Sequence, residues 1–180
     1  MNRMDIPKAR MLARFIIESL DIAKHRRQEF DGGVEALNHF LQRQARKEME
    51  ANMSACFVAV PEADEGRIAG FFTLCAVTIA RIDLPEPVSK KLPRYSSLPA
   101  TLLGRLATSL EFRGQGVGSR LMHDAFHRTI LSADQVASWG LVTNPKDSAA
   151  HAFYAKFGFV NLNEQRMFIP LNTMASRFRG

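Results

Sequence analysis

The sequence has few cysteines and no long apolar run, and these two absences exclude several classes of protein. Two cysteines occur in 180 residues, Cys56 and Cys75, in separate apolar segments and without a Cys-x-x-Cys pair. A disulfide framework or a zinc site is therefore not expected, and we predict two buried thiols and no metal. No apolar stretch approaches the roughly 20 residues that span a bilayer. The amino-terminal segment also lacks the features of a signal peptide, which predicts a cytoplasmic protein without a membrane-inserted part.

Repeats, low-complexity tracts and Ser/Gly linkers are missing too, which favours a single folded domain. The hydrophobic fraction of 46% and the charged fraction of 23% are typical of globular proteins. The net charge of +6 attracts polyanions to the surface. Phosphates of a nucleotide cofactor and of RNA would both suit this charge, so it does not distinguish between them.

Apolar segments of two kinds alternate along the chain. Short runs predict strands at 15–20, 55–60, 68–77, 102–108, 138–143, 159–160 and 167–171, the first of which also fits a helical pattern. Helical spacing predicts helices at 34–53, after residue 118, and from 147 or 148 to 157 with Gly158 at its end. Residues 84–99 are rich in proline and are predicted to be an irregular loop. The pattern indicates an α+β domain on a mixed sheet, with a strand–turn–helix unit at its centre.

The turn of that central unit is the glycine-rich segment Arg113-Gly114-Gln115-Gly116-Val117-Gly118. Glycines let a backbone approach a ligand closely, and the free N–H groups at a helix start favour an anion. A pyrophosphate is the expected ligand, although the turn could also be a simple tight loop. The segment matches neither the dinucleotide fingerprint nor the phosphate loop of nucleotide triphosphatases.

A second motif, Ala149-Ala150-His151-Ala152-Phe153-Tyr154-Ala155-Lys156-Phe157-Gly158-Phe159, begins about 30 residues after the first. Together the two motifs resemble the GCN5-related N-acetyltransferase (GNAT) superfamily. The resemblance implies a mixed, mostly antiparallel central sheet flanked by helices, and acetyl-CoA as cosubstrate. It also implies that Tyr154 lies beside the CoA sulfur and protonates the leaving thiolate, as a general acid does. The alternative for Tyr154 is an aromatic residue that packs in the core.

The resemblance also implies a set of CoA contacts. The backbone of the central strand would run beside the pantetheine arm, and the glycine-rich turn would hold the phosphates. A weaker assignment places the residue after the next strand near the pantetheine or the acyl group. The residues concerned are Leu106, Thr108, Arg113, Gly114, Gly116, Val117, Gly118, Ser119 and Asn144.

Over residues 28–171 the sequence looks like the GNAT toxins of bacterial toxin–antitoxin modules. That resemblance implies acetylation of the α-amine of aminoacyl-tRNA, a homodimer, and a ribbon-helix-helix antitoxin as partner. We expect a domain over residues 14–175 and a flexible extension over residues 1–13, which lie outside the resemblance. Two departures occur: Phe30-Asp31-Gly32-Gly33 replaces the usual Phe-Asp-Cys-Gly, and Thr108-Ser109 replaces the usual Val-Asp.

Basic residues are candidates for the tRNA contacts, because Lys and Arg side chains bind phosphates. Arg105 is expected near the acyl end of the site, since it lies on the CoA-binding strand. Glu111 is the nearest candidate for a general base, but we expect it to be exposed to solvent. Solvated charged faces are the alternative for the two basic clusters, which consist of Arg43, Arg46 and Lys47, and of Lys90, Lys91 and Arg94.

Two other functions stay open at this point. The first is a GNAT enzyme that acetylates a small-molecule amine, a protein N-terminus or a lysine, and has no toxin role. The second is a protein that binds acetyl-CoA, or associates with DNA through a partner, without turnover. The amine acceptor is the feature on which the sequence says least, because loops and the first helices form its pocket.

Overall fold

The computed structural model describes residues 14–178, in which the apolar runs form seven strands. They are β1 Phe15–Ser19, β2 Ala55–Pro61, β3 Gly70–Ala80, β4 Ser97–Thr108, β5 Gly140–Thr143, β6 Val160–Asn161 and β7 Met167–Pro170. All strands join one sheet in the order β1-β2-β3-β4-β5-β7-β6. Neighbouring strands are antiparallel except β4 and β5, which are parallel. The predicted mixed, mostly antiparallel sheet is therefore confirmed.

The helices are α1 Glu35–His39, α2 Ala45–Glu50, α3 Glu86–Ser89, α4 Val117–Ala133, α5 Ser148–Lys156 and α6 Leu171–Phe178. A π-helical turn, Phe40–Gln44, connects α1 to α2, so the predicted helix over 34–53 exists but is not regular. Asp147 caps α5 by accepting a hydrogen bond from the Ala150 N–H at 2.8 Å. Gly158 ends α5 with a φ of +93°, a backbone conformation that favours glycine.

Adjacent residues of a strand point to opposite faces of the sheet. Three apolar clusters cover these faces. Helices α4, α5 and α6 bury one face through Leu121, Tyr154 and Met174, which we call the α4 core. The turn between α1 and α2 buries the other face over β2 and β3, which we call the α1–α2 core. A third core on that same face includes Leu102 of β4 and Phe168 of β7.

Three predictions about local structure are wrong. Residues 84–99 are not an irregular loop throughout, because they contain α3 and the first three residues of β4. The last strand does not reach Leu171, where α6 begins directly after Pro170. Cys56 is buried as expected, and burial raises the pKa of its thiol to about 12, but Cys75 is only half-buried.

The predicted extension over residues 1–13 lies outside the described residues. Over residues 14–178 no helix has both the length and the apolar character needed to cross a membrane. Within the same range, no group of three or more His, Cys, Asp or Glu side chains is arranged to hold a metal ion.

Candidate active site

The centre of the candidate site is the point where β4 and β5 separate. Their parallel pairing covers only three residues of each strand and ends where Leu103 lies opposite Thr143. Strand β4 continues for five more residues to Thr108, while β5 has already ended. Backbone groups of β4 that face away from β3 have no strand partner there among the described residues. An extended ligand can therefore lie along this edge, which includes Leu106 and Thr108.

A β-bulge lies at the same point of β4. Thr73 of β3 pairs with Arg105 and Leu74 pairs with Leu103, so Gly104 is the extra residue. Bulges bend a strand and change the direction of the side chains that follow. After the bulge, Arg105 contacts the α1–α2 core, whereas Leu103 contributes to the α4 core.

The glycine-rich turn lies at the far end of this opening and begins α4. Gly114 and Gly116 have φ values of +74° and +77°, and a Cβ atom on either would meet no protein atom within 4 Å. Glycine is therefore required there by backbone conformation, while the space beside it is open. A Cβ atom on Gly118 would lie 3.6 Å from the Thr108 hydroxyl oxygen, so the start of α4 adjoins the end of β4.

The start of α4 also has the electrostatics that an anion needs. Gly116 is the N-cap residue, no side chain caps the helix, and its first turn contains no acidic residue. The N–H groups of Val117, Gly118 and Ser119 thus stay available at the positive end of the helix dipole. Together with the open space beside Gly114 and Gly116, this arrangement fits the pyrophosphate of a CoA molecule whose pantetheine lies along β4.

Two contacts fix the segment that precedes the turn. The Leu110 N–H donates to the Asp31 carbonyl at 2.9 Å, which ties this segment to the turn at Phe30–Gly33. The Glu111 carboxylate pairs with the Arg67 guanidinium on the protein surface. Because Glu111 is engaged in this ion pair, its position does not indicate a role as general base. The Arg113 side chain lies against Gly33.

Tyr154 lies where β4 and β5 separate. Its side chain is hydrogen-bonded to Thr143, whose hydroxyl donates to the Leu103 carbonyl at 3.1 Å. Only 7% of Tyr154 is exposed, and the rings of Phe153 and Phe159 lie 5.4 Å from its own. Burial raises the pKa of Tyr154. The hydroxyl is therefore held protonated at neutral pH, as a proton donor must be.

The other residues predicted for the site do not lie together where β4 and β5 separate. Asn144 is exposed directly after β5. Both basic clusters lie on the surface, where Arg46 pairs with Glu50 at 2.6 Å and Lys90 pairs with Glu86 at 2.5 Å. The other four basic residues, whose side chains have no hydrogen bond or ion pair to residues 14–178, are Arg43, Lys47, Lys91 and Arg94.

Arg105 is more constrained than predicted. Its guanidinium carbon lies 3.7 Å from the centre of the Phe40 ring, and its nitrogens lie 3.4 Å from the Glu48 carboxylate. Sequence reasoning missed Glu48 and Thr143. The position of Thr143 at the end of a strand beside the motif helix is a signal that could have identified it, whereas Glu48 has no local signal.

A groove of about 890 Å³ lies elsewhere. It runs between the carboxyl-terminal end of α4, the middle of β3 and the first residues of β4, and contains none of the residues predicted for the site.

Comparison with known proteins identifies the family. Residues 52–161, more than half of the chain, match the acetyltransferase (GNAT) domain. The chain belongs to the GNAT acetyltransferase family. The predicted family, fold and enzyme class are thereby confirmed.

Two curated relatives are toxins. A probable toxin TacT of Sinorhizobium fredii is 30% identical over 173 residues, which cover 91% of this chain and 95% of the relative. A tRNA-acetylating toxin of Mycobacterium tuberculosis is 32% identical over 130 residues, which cover 72% of this chain and 75% of the relative.

Solved structures of the toxin AtaT resemble this GNAT domain along nearly all of the chain. AtaT complexed with acetyl-methionyl-tRNAfMet gives a TM-score of 0.83 at 30% identity, covering 92% of this chain and 99% of that one. A Tyr-to-Phe mutant of AtaT bound to the C-terminus of the antitoxin AtaR and acetyl-CoA gives a TM-score of 0.77 at 26% identity, with the same coverage.

Proposed function

We propose that this GNAT enzyme is an acetyl-CoA-dependent toxin that acetylates the α-amine of aminoacyl-tRNA and thereby blocks translation. The observation that carries the proposal is the likeness to AtaT in its tRNA complex, which covers 92% of the chain. The tRNA-acetylating relative supports the same acceptor.

The glycine-rich turn and the edge of β4 are the proposed acetyl-CoA site. The N–H groups of Val117, Gly118 and Ser119 would bind the pyrophosphate, and the β4 edge at Leu106 and Thr108 would pair with the pantetheine amides. Bound acetyl-CoA supplies a thioester whose acetyl group passes to an amine, leaving CoA as a thiolate. With the phosphates at α4, the thioester end of the molecule reaches toward Tyr154.

Tyr154 is the proposed general acid. Its hydroxyl donates a proton to the departing thiolate as the new amide bond forms, and it recovers a proton from the amine nitrogen, which must lose one. The α-amine of an aminoacyl ester has a lower pKa than a lysine side chain, so much of it is neutral near pH 7. A strong general base is then unnecessary, which agrees with the engagement of Glu111 by Arg67.

The partners follow from the same likeness. We propose a single domain over residues 14–175, a homodimer, and a ribbon-helix-helix antitoxin whose carboxyl-terminal part binds this enzyme. The solved complex of AtaT with the C-terminus of AtaR supports an antitoxin partner. Because aminoacyl-tRNA is a cytoplasmic substrate, we propose that the protein acts in the cytoplasm.

The experiment is transfer of labelled acetyl from acetyl-CoA to a pool of aminoacylated tRNA, with wild type and Tyr154→Phe. Wild type is expected to label the amino acid carried by the tRNA. The variant is expected to lose about a hundredfold or more in kcat while it keeps its acetyl-CoA affinity, because general-acid catalysis contributes about that factor. Wild type that binds acetyl-CoA but labels no charged tRNA would overturn the assigned acceptor. Unchanged kcat in the variant would overturn the role of Tyr154.

A further inference from the structure

Arg105 lies on β4 just past the point where β4 and β5 separate, and its side chain pairs with Glu48 on the face opposite Tyr154. It follows Leu103 by two residues, across the bulge at Gly104. Leu102 of β4 contributes to the third core and Ala107 to the α1–α2 core. Gly104 and Arg105 lie between these two clusters. At these two positions β4 presents no apolar side chain to this face.

The geometry of Arg105 is fixed from two sides. Its guanidinium lies 3.7 Å above the Phe40 ring and 3.4 Å from both carboxylate oxygens of Glu48. Phe40 is fully buried at the first position of the π-helical turn. Stacking on a buried ring limits the movement of a guanidinium, so Arg105 provides a rigid positive charge for Glu48 to face.

The Glu48 carboxylate has capacity for a further hydrogen-bond donor. The Ser54 hydroxyl donates to it at 2.9 Å, and the two contacts with Arg105 are long. The Glu48 side chain keeps 30% of its surface exposed, and that of Arg105 keeps 32%. An ionised carboxylate accepts about four hydrogen bonds, and this one is both oriented and open to solvent. It suits an N–H donor that arrives from outside.

The direction from which the acceptor amine approaches the thioester indicates that this amine is the donor. Helices α4 and α5 close the other face of the opening, where Tyr154 and Leu103 are buried in the α4 core. An amine that attacks the thioester must therefore come from the face on which Glu48 and Arg105 lie.

We infer that Glu48 is the acceptor-amine contact of this enzyme, and this rests on the function proposed above. Its carboxylate accepts a hydrogen bond from the α-amine of aminoacyl-tRNA and places the nitrogen beside Gly104. Arg105, stacked on Phe40, is a positioning residue that acts through Glu48.

The test removes the two partners of this contact one at a time. Glu48→Gln removes the charge of the carboxylate, and replacing the α-amine of the tRNA-borne amino acid by hydrogen removes the donor. The measured quantities are the KM for aminoacyl-tRNA, the inhibition constant of the deaminated acyl-tRNA, and the acetyl-CoA Kd. Glu35→Gln is the matched control, because Glu35 is an exposed glutamate at the start of α1 and the charge change is identical.

Glu48→Gln is expected to raise the KM for aminoacyl-tRNA about tenfold, the effect of losing one charge-assisted hydrogen bond. The inhibition constant of the deaminated acyl-tRNA and the acetyl-CoA Kd are expected to stay unchanged, and Glu35→Gln is expected to change none of the three. Arg105→Lys should raise the KM in wild type but not further in the Glu48→Gln background.

Two results would overturn the inference, and they are distinguishable. If Glu48→Gln weakens binding of both tRNAs equally, or of neither, then Glu48 does not contact the amine although the enzyme acetylates tRNA. If wild type transfers no acetyl group to charged tRNA, both the proposed function and this inference fail.

Discussion

At the scale of single residues, Thr143 connects Tyr154, the proposed general acid, to the backbone. Its hydroxyl is hydrogen-bonded to Tyr154 and also donates to the Leu103 carbonyl, at the last pair of residues that joins β4 to β5. Thr143 is buried, so no water replaces a lost partner without cost. The orientation of the proposed acid and the geometry of the strand opening thus depend on one hydroxyl group.

Thr143→Val is expected to reduce kcat by about tenfold and the free energy of unfolding by about 1–3 kcal/mol. Valine has the shape of threonine but leaves the Leu103 carbonyl and Tyr154 hydroxyl without their buried partner. Urea unfolding and steady-state kinetics measure the two effects. Thr129→Val is the control: that hydroxyl is also buried but bonds only the preceding turn of α4, so kcat should stay unchanged. A kcat for Thr143→Val equal to that of wild type would contradict the role assigned to Thr143.

Residues of the site differ in how far the sequence could identify them. Tyr154 and the glycines of the turn lie in local motifs whose spacing implies their chemistry, so the amino-acid sequence alone makes them candidates. Glu48 belongs to an amphipathic helix in which nothing distinguishes it from Glu50. Only the fold brings it to Arg105, 57 positions further along the chain.

At the scale of secondary structure elements, the start of α4 combines left-handed backbone with open space. Non-glycine residues at positive φ cost roughly 1–2 kcal/mol each. Both Gly114 and Gly116 adopt such a conformation without any neighbouring protein atom that requires it. The proposed acetyl-CoA site accounts for the arrangement, since a phosphate would occupy the space that a side chain would fill.

Gly116→Ala is therefore expected to weaken acetyl-CoA binding by more than its cost in stability. The free energy of unfolding should fall by about 1 kcal/mol, while the acetyl-CoA Kd should rise at least tenfold, because the new methyl group lies where a phosphate binds. Calorimetric titration and urea unfolding give the two numbers. Gly158→Ala, also at positive φ but at the end of α5, should lose stability and keep its Kd. Equal Kd values for Gly116→Ala and wild type would place the phosphates elsewhere.

Helix α6, like α3, is an element that the sequence pattern did not predict. It has eight residues, begins directly after Pro170 of β7, and continues an apolar run that is typical of a strand. Tertiary packing decides the outcome, because Met174 is fully buried against the α4 core. Short segments of this kind carry too few periodic positions for a pattern to identify.

Met174→Ala is expected to lower the free energy of unfolding by about 2–5 kcal/mol, the usual cost of truncating a buried methionine. Chemical denaturation measures it. Thr173→Ala, at the adjacent exposed position of the same helix, should stay within about 0.5 kcal/mol of wild type. A loss for Met174→Ala as small as that of the control would mean that α6 does not stabilise the sheet.

At the scale of the whole molecule, only part of the excess positive charge is available to bind a polyanion. The net charge is +6, but several cations are already neutralised by neighbouring carboxylates. Arg46 and Lys90 pair with Glu50 and Glu86, each one helical turn away. Arg43, Lys47, Lys91 and Arg94 are exposed and have no such pair within residues 14–178. A polyanion such as tRNA would gain most from these four.

The difference between paired and unpaired basic side chains predicts how salt affects tRNA binding. Each phosphate neutralised by a cation releases a counterion, which adds about 0.7–0.9 to the slope of log K against log salt concentration. The double variants Arg43→Gln/Lys47→Gln and Lys91→Gln/Arg94→Gln are each expected to reduce that slope by about 1–2. Arg46→Gln/Lys90→Gln removes the same formal charge but should change it less, because those cations already have partners. Equal slopes for all three double variants would mean that tRNA binding depends on net charge alone. Smaller slopes for the first two double variants than for Arg46→Gln/Lys90→Gln would mean that tRNA contacts α1–α2 and the 84–99 segment.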